Sequence, residues 1–306
     1  MLSRVAENIF WMSRYMERTN IMLRYLKYRY MAFQDGLSNI QSEEIVQKYN
    51  IKISKDYTID EVLSKLLLDI ELPSSVFNNI FKARENARSA QDNINRELWQ
   101  SLNDLYHQIR NPQLLQEISY DPYSVIDELI KRCMHYYGII NNSVSRSEGF
   151  YFLNLGKFVE RGLQCIQLMK EELILLDNGE QENLRWRYFL MSFNGYELYL
   201  SKHFGRLDTE KILEQMLYAD NYPNSLIYCW HEIAHHAEHL YGEGSNETAV
   251  NLSFVIGKSY SNIKYSKLNG STDGKCAFLN AIEQNFYSLV EVLNKYCFGL
   301  NAESHS

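Results

Sequence analysis

Between Val5 and Tyr30 the apolar residues Val5, Ile9, Met12, Met16, Leu23, Leu26 and Tyr30 recur at steps of three and four, with only Thr19 interrupting the row. A spacing sustained over that length fits a 3.6-residue period and no other regular structure, so it demands one long amphipathic helix packed into a bundle. The helix is expected to run to about Phe33. Its length sets the scale for the rest of the chain, because a helix this long needs long partners to cover its apolar stripe.

Breakers are correspondingly scarce, with 14 Gly and 4 Pro in 306 residues. Residues 34–60 read as a connector with a short helix, since the alternation Ile51-Lys52-Ile53 is too brief for a sheet. Pro73 suits a first helical turn, and the stretch from it to Arg110 contains no further Gly or Pro, predicting the longest helix of the chain. Asp121-Pro122 predicts a helix to Ser143, and a further one is expected from Glu148 to Leu176 before the turn Asp177-Asn178-Gly179. Beyond it helices are expected over 182–200, 207–218, 224–241, 247–266 and 275–298, the last three separated at Gly242-Glu243-Gly244 and between Gly270 and Gly274.

The helices carry an internal echo. Ser13-Arg14-Tyr15-Met16-Glu17-Arg18 and Gly156-Lys157-Phe158-Val159-Glu160-Arg161 share the order small, basic, aromatic, apolar, Glu, Arg, and each follows a Ser-Arg pair, Ser3-Arg4 and Ser145-Arg146. Downstream, the segment around Pro73-Ser74-Ser75 is echoed by the one around Pro223-Asn224-Ser225, each opening a helix. Glu17 and Glu160 stand 143 positions apart and Pro73 and Pro223 stand 150 apart, which fits a duplication with small insertions. The expectation is one all-α domain over 1–306, a helical bundle of two pseudo-twofold related halves at about 1–120 and 144–300.

Charge and cysteine usage narrow the function classes. A net charge of -7, with 31 basic residues scattered among 38 acidic ones, offers no basic surface for nucleic acid. Cys133, Cys165, Cys229, Cys276 and Cys297 are odd in number and never in a C-x-x-C pair, so they read as buried thiols in a reducing compartment. No apolar run resembles a signal peptide or a membrane span, which makes the cytoplasm the expected location. Neither G-x-x-x-x-G-K-S/T nor G-x-G-x-x-G occurs, so no cofactor is expected and any ATP chemistry falls to a partner.

Leu2-Ser3-Arg4-Val5-Ala6-Glu7-Asn8, Trp11, Glu17-Arg18, Pro73-Ser74-Ser75, Ala83-Arg84-Glu85-Asn86-Ala87-Arg88 and Gly156-Lys157-Phe158-Val159-Glu160-Arg161 together resemble the alpha-E family, over nearly the whole chain. The resemblance implies an all-α protein found beside a circularly permuted ATP-grasp protein and a transglutaminase-like protease, in systems thought to make or modify peptides. Asn224 departs from the pattern, since the family commonly has Arg between Pro and Ser; an anion-binding role for that second loop loses its charge.

The candidate binding residues are Arg4, Glu17, Arg18, Ser75, Arg84, Glu85, Asn86, Arg88, Arg146, Glu160 and Arg161. Glu17 and Arg18 project about 100° apart on a helix, and periodicity places Arg18 beside Trp11, Tyr15, Met22 and Tyr25. Two readings stand: each Glu pairs with an Arg of the other copy and pins the halves together, or the pairs converge on a cleft that binds a carboxylate or phosphate. Arg84 and Arg88 share a helix face and need an acidic group between them, for which Glu17 or Glu160 is a candidate; otherwise they form a solvated cluster. Ser75 reads as a helix cap or as part of an anion site.

His231-Glu232-Ile233-Ala234-His235 is a literal H-E-x-x-H, with His239 one further turn along. A zinc peptidase would bind metal with His231 and His235 and activate water with Glu232, but Glu238 stands where the extended motif has Gly and no third ligand is evident. The functional expectation is a helical component, scaffold or accessory acid-base enzyme, of an ATP-grasp-linked peptide synthesis or modification system. The alternatives are a zinc-dependent hydrolase and a purely structural interaction module.

Overall fold

The computed structural model describes residues 1–36, 40–54, 57–176, 182–205, 207–242, 247–268 and 270–299, and all regular structure among them is helical. The turn at Asp177-Asn178-Gly179 and the pair Glu243-Gly244 lie outside the described residues. The elements are α1 (Ser3–Gln34), α2 (Ile40–Lys48), α3 (Ile59–Leu68), α4 (Val76–Ser89), α5 (Arg96–Ile109), α6 (Leu114–Tyr120), α7 (Pro122–Ser143), α8 (Glu148–Leu176), α9 (Glu182–Ser192), α10 (Tyr196–Lys202), α11 (Thr209–Tyr218), α12 (Leu226–Tyr241), α13 (Glu247–Lys264) and α14 (Thr272–Tyr296). Among the described residues no helix is long and apolar enough to cross a membrane.

Short polar side chains set most of the helix starts. Thr58 and Glu61 form a reciprocal capping box at α3, while Ser75, Asn95, Asp121, Asp208, Ser225 and Ser271 each accept a backbone N–H from the first turn of the helix they open. Pro122 occupies the first helical position of α7, where its missing N–H costs nothing.

Two expectations fail for the same reason. The Pro73–Arg110 stretch is not one helix: α4 ends at Ser89, a short 3-10 turn covers Gln91–Asn93, and α5 begins after Asn95. The helix ends without Gly or Pro: Ala90 closes α4, and the Asn95 side chain competes for backbone N–H groups, its Oδ1 accepting from Leu98 N to open α5. The longest helix is therefore α1, at 32 residues. The 182–200 stretch likewise breaks at Asn194, which adopts a left-handed φ of 55° between α9 and α10. Helices α3 and α6 were not anticipated.

The chain forms two compact units, one of Met1–Arg14 with Ser145–Ser306 and the other of Tyr15–Val144, so α1 contributes to both. In the first unit α8 packs on α12, α12 on α13, α13 on α14 and α14 back on α8, a closed ring of four helices. Buried Phe152, Leu155, Val159, Ile166 and Met169 on α8, Trp230 and Ile233 on α12 and Phe286 and Leu289 on α14 fill it. Gly162 lets the ring of Phe286 lie against the α8 backbone, where a Cβ would collide with it. In the second unit α4 packs on α5 and α5 on α7, with α3 and α6 alongside. The α1 portion of this unit meets α7 through Lys27 and Asp127 (2.6 Å) and meets α4 through Lys82, whose ammonium lies 5.6 Å from the Tyr15 ring.

Candidate functional site

The two Glu-Arg segments lie on α1 and α8, and both glutamates are removed from solvent: Glu17 is 0% and Glu160 1% exposed. A buried carboxylate must be charge-compensated and hydrogen-bonded. For Glu160 the compensation comes from Arg14, whose Nε donates to Oε2 at 2.9 Å, while Gln164 Nε2 donates to Oε1 at 3.0 Å. Arg14 is itself buried, and its guanidinium lies 4.4 Å from the Trp11 ring centroid and 5.7 Å from that of Phe10. The residue on Trp11 is thus Arg14. Arg18 is half-buried with its guanidinium 5.4 Å from the Tyr15 ring, and Tyr25 is faced by Arg29 and Lys48.

The Arg14–Glu160 pair exists because α1 and α8 approach at the small position of each segment. A Cβ on Gly156 would run into the Phe10 carbonyl oxygen and come within 3.2 Å of Ser13 Cβ. Backbones this close let side chains one turn along reach across.

In the other unit Glu17 accepts a short hydrogen bond from the Tyr137 hydroxyl of α7. Burial, followed by the charge of the same carboxylate, pushes the Cys133 thiol up to about 12. Cys165 is also held well above the ordinary thiol value by burial, so neither is a ready nucleophile.

Arg161 is half-buried over Phe158 at 5.2 Å and donates through Nη1 to the Pro223 carbonyl at 3.0 Å, holding the turn that leads into α12. Asn224 in that turn donates to the Phe193 carbonyl at 2.6 Å, and the Tyr222 hydroxyl donates to the same oxygen at 2.7 Å. Ser75 caps α4 through Asn78 N at 3.1 Å, and Ser225 caps α12 through Tyr228 N at the same distance. Arg146 stacks 4.2 Å from the Phe150 ring, and Arg4 is exposed in the first turn of α1.

The acidic group between Arg84 and Arg88 is Glu85, which takes Arg84 Nη1 and Arg88 Nη2 at 2.9 Å each, not Glu17 or Glu160. Arg84 also donates to Asn103 Oδ1 at 2.7 Å and lies 4.7 Å from the Tyr106 ring, tying α4 to α5; Asn86 is half-buried on the same helix. Of this run, Arg84 is the residue whose contacts cross from α4 to α5.

On α12 the Glu232 carboxylate sits between two imidazoles, His231 Nδ1 at 3.5 Å and His236 Nε2 at 3.7 Å. The interaction with His236 depresses the Glu232 pKa, whereas burial depresses that of His236, whose ring stacks on Phe158. His235 is exposed, and its ring lies 4.4 Å from that of His239 and 5.1 Å from that of His236. Among the described residues no group of three or more His, Cys, Asp or Glu is arranged to hold a metal ion.

Sequence reasoning missed Arg14, Gln164 and Tyr137. Arg14 was signalled by the basic position that both Glu-Arg segments share, but helical periodicity alone directed attention to Arg18. Tyr137 left no signal, because it meets Glu17 only once α7 lies against α1.

An uncharacterized protein of Mycobacterium bovis is 23% identical over 250 residues, and one of Mycobacterium tuberculosis is 22% identical over 250; each match covers 74% of this chain and 28% of the relative. The chain therefore matches little more than a quarter of the length of these relatives. No solved structure matches it. The model of the Alpha-E family, described as a predicted alpha-helical domain with a conserved ER motif, matches residues 1–298, and with buried Glu17 and Glu160 each followed by a half-buried arginine, the chain belongs to that family.

Proposed function

We propose that this chain is a helical scaffold within a peptide synthesis or modification system, working with a circularly permuted ATP-grasp protein and a transglutaminase-like protease as the family resemblance implies. The observation that carries the scaffold reading over acid-base catalysis is the state of Glu160: it is 1% exposed, and both oxygens are occupied, by Arg14 and Gln164. A proton-transfer group must reach substrate within hydrogen-bond distance, and this carboxylate reaches only its own fold.

The scaffold is built by duplication in this reading. Ser13 and Gly156, equivalent positions of the two segments, meet each other. The capping turns at Ser75 and Ser225 make the same hydrogen bonds, and the packing of α4 on α5 and α5 on α7 in one unit parallels that of α12 on α13 and α13 on α14 in the other.

Co-purification with a circularly permuted ATP-grasp protein tests this, using the wild type and a Glu17→Gln/Glu160→Gln double variant. The expected result is that the variant, verified as folded by circular dichroism, still captures the partner and still supports product formation. Product lost from a folded variant with an intact complex would make the glutamates chemical groups and overturn the scaffold reading.

A further inference from the structure

The geometry points to a two-imidazole site for a late first-row divalent ion, Ni2+, Cu2+ or Zn2+, formed by His235 and His239 on the exposed face of α12. The pair is one helical turn apart, and the ring centroids lie 4.4 Å from each other. His239 Nδ1 lies 2.8 Å from the His235 carbonyl oxygen. A carbonyl can only accept, so Nδ1 carries the proton and the neutral ring presents its lone pair at Nε2. This is the arrangement by which metal-binding histidines are fixed in tautomer and orientation, the second nitrogen donating to a backbone carbonyl. Tyr151 stacks on the His239 ring at 4.9 Å with an interplanar angle of 27°, which holds the ring in place from α8.

This site is displaced by one turn from the H-E-x-x-H pair. His231 turns its Nδ1 toward Glu232, and the other oxygen of that carboxylate faces the buried His236, so Glu232 is committed to its own helix. Imidazole nitrogen suits Zn2+, Cu2+ and Ni2+ and discriminates against Mg2+ and Ca2+, which take oxygen. With two protein ligands the remaining coordination positions go to water, so the ion exchanges reversibly, and the site is a binding site without hydrolytic machinery.

Calorimetric titration of the tag-free, metal-free full chain with NiCl2 tests it. The expected result is one ion per chain, its binding weakened at least about tenfold by His235→Ala or His239→Ala, each of which leaves a single imidazole, and unchanged by His231→Ala. Both histidines are exposed, so the variants fold, and circular dichroism verifies this. A thermal shift produced by Ni2+ in the wild type and absent in His239→Ala gives a second readout. Absence of Ni2+ binding by the wild type overturns the proposal. So does a His239→Ala variant that binds normally, or a loss on His231→Ala equal to that on His239→Ala, which would return the ion to the H-E-x-x-H spacing.

Discussion

The turn before α4 and the turn before α12 have the same backbone and different anchors. Ser75 N bonds to the Leu72 carbonyl and Ser225 N to the Tyr222 carbonyl, both at 2.9 Å, and each serine hydroxyl caps the helix that follows. The first turn is then fastened from within its own helix, by Asn78 Nδ2 on the carbonyls of Ile70 (2.9 Å) and Leu72 (2.8 Å). The second is fastened from outside, by Arg161 of α8 on the Pro223 carbonyl and by Asn224 and Tyr222 on Phe193. Local chemistry is enough to shape such a turn. What it is attached to depends on residues far away in sequence, and that is where the two units diverge.

The largest effect should come from the buried pair of the first unit. Arg14→Ala leaves Glu160 buried and charged without its guanidinium and is expected to cost about 3–5 kcal/mol in urea unfolding, whereas Arg18→Ala, which removes a half-buried cation from Tyr15, costs about 1 kcal/mol. Equal losses from the two would mean that the Arg14–Glu160 contact adds nothing beyond a partly exposed arginine.

Next come the turns. Ser75→Ala and Ser225→Ala each lose a cap worth about 1 kcal/mol, and Ser225→Ala also loses the bond its hydroxyl donates to the Ala219 carbonyl at 2.6 Å, so the second variant should melt lower. Arg161→Ala should add to the Ser225→Ala loss less than independently, because both hold one turn, and should add fully to Ser75→Ala. Full additivity in both combinations would break the distinction between a self-anchored and an externally anchored turn.

The smallest effect is a pH response on the α12 side. Eleven residues after its capping serine, α12 carries His236 where α4 carries Asn86, which does not titrate. Burial holds the His236 pKa below 6.5, so as pH falls from 6.5 toward the folded value the unfolded chain takes up the proton first and stability drops. Glu232, depressed below 4.5 by His236, stabilises the fold above 4.5 and loses that contribution as pH falls through its folded value. The urea midpoint should therefore decline from pH 7 to pH 5.5, and less steeply in His236→Phe. An identical slope in that variant would remove His236 from the account.

Much of the helix pattern was legible. The boundaries of α1, α7, α8 and α12 follow from apolar periodicity and from capping residues, which act within four residues of themselves. The breaks at 90–95 and at Asn194 were not, because Asn and Asp interrupt a helix only when the chain has somewhere better to turn, and α5 folding back on α4 supplies that here.

Two long helices, each bearing a Glu-Arg segment with a small residue four positions before the Glu, were set by the sequence alone, since period and motif are properties of neighbouring residues. Tertiary structure decided which partner each glutamate would find, Arg14 for Glu160 and the Tyr137 hydroxyl for Glu17. Ser13 and Gly156 let the backbones of α1 and α8 approach, and at that distance the side chain in reach of Glu160 is Arg14. Helical spacing fixes the face on which a charge emerges; only the crossing of a second helix fixes the charge that meets it.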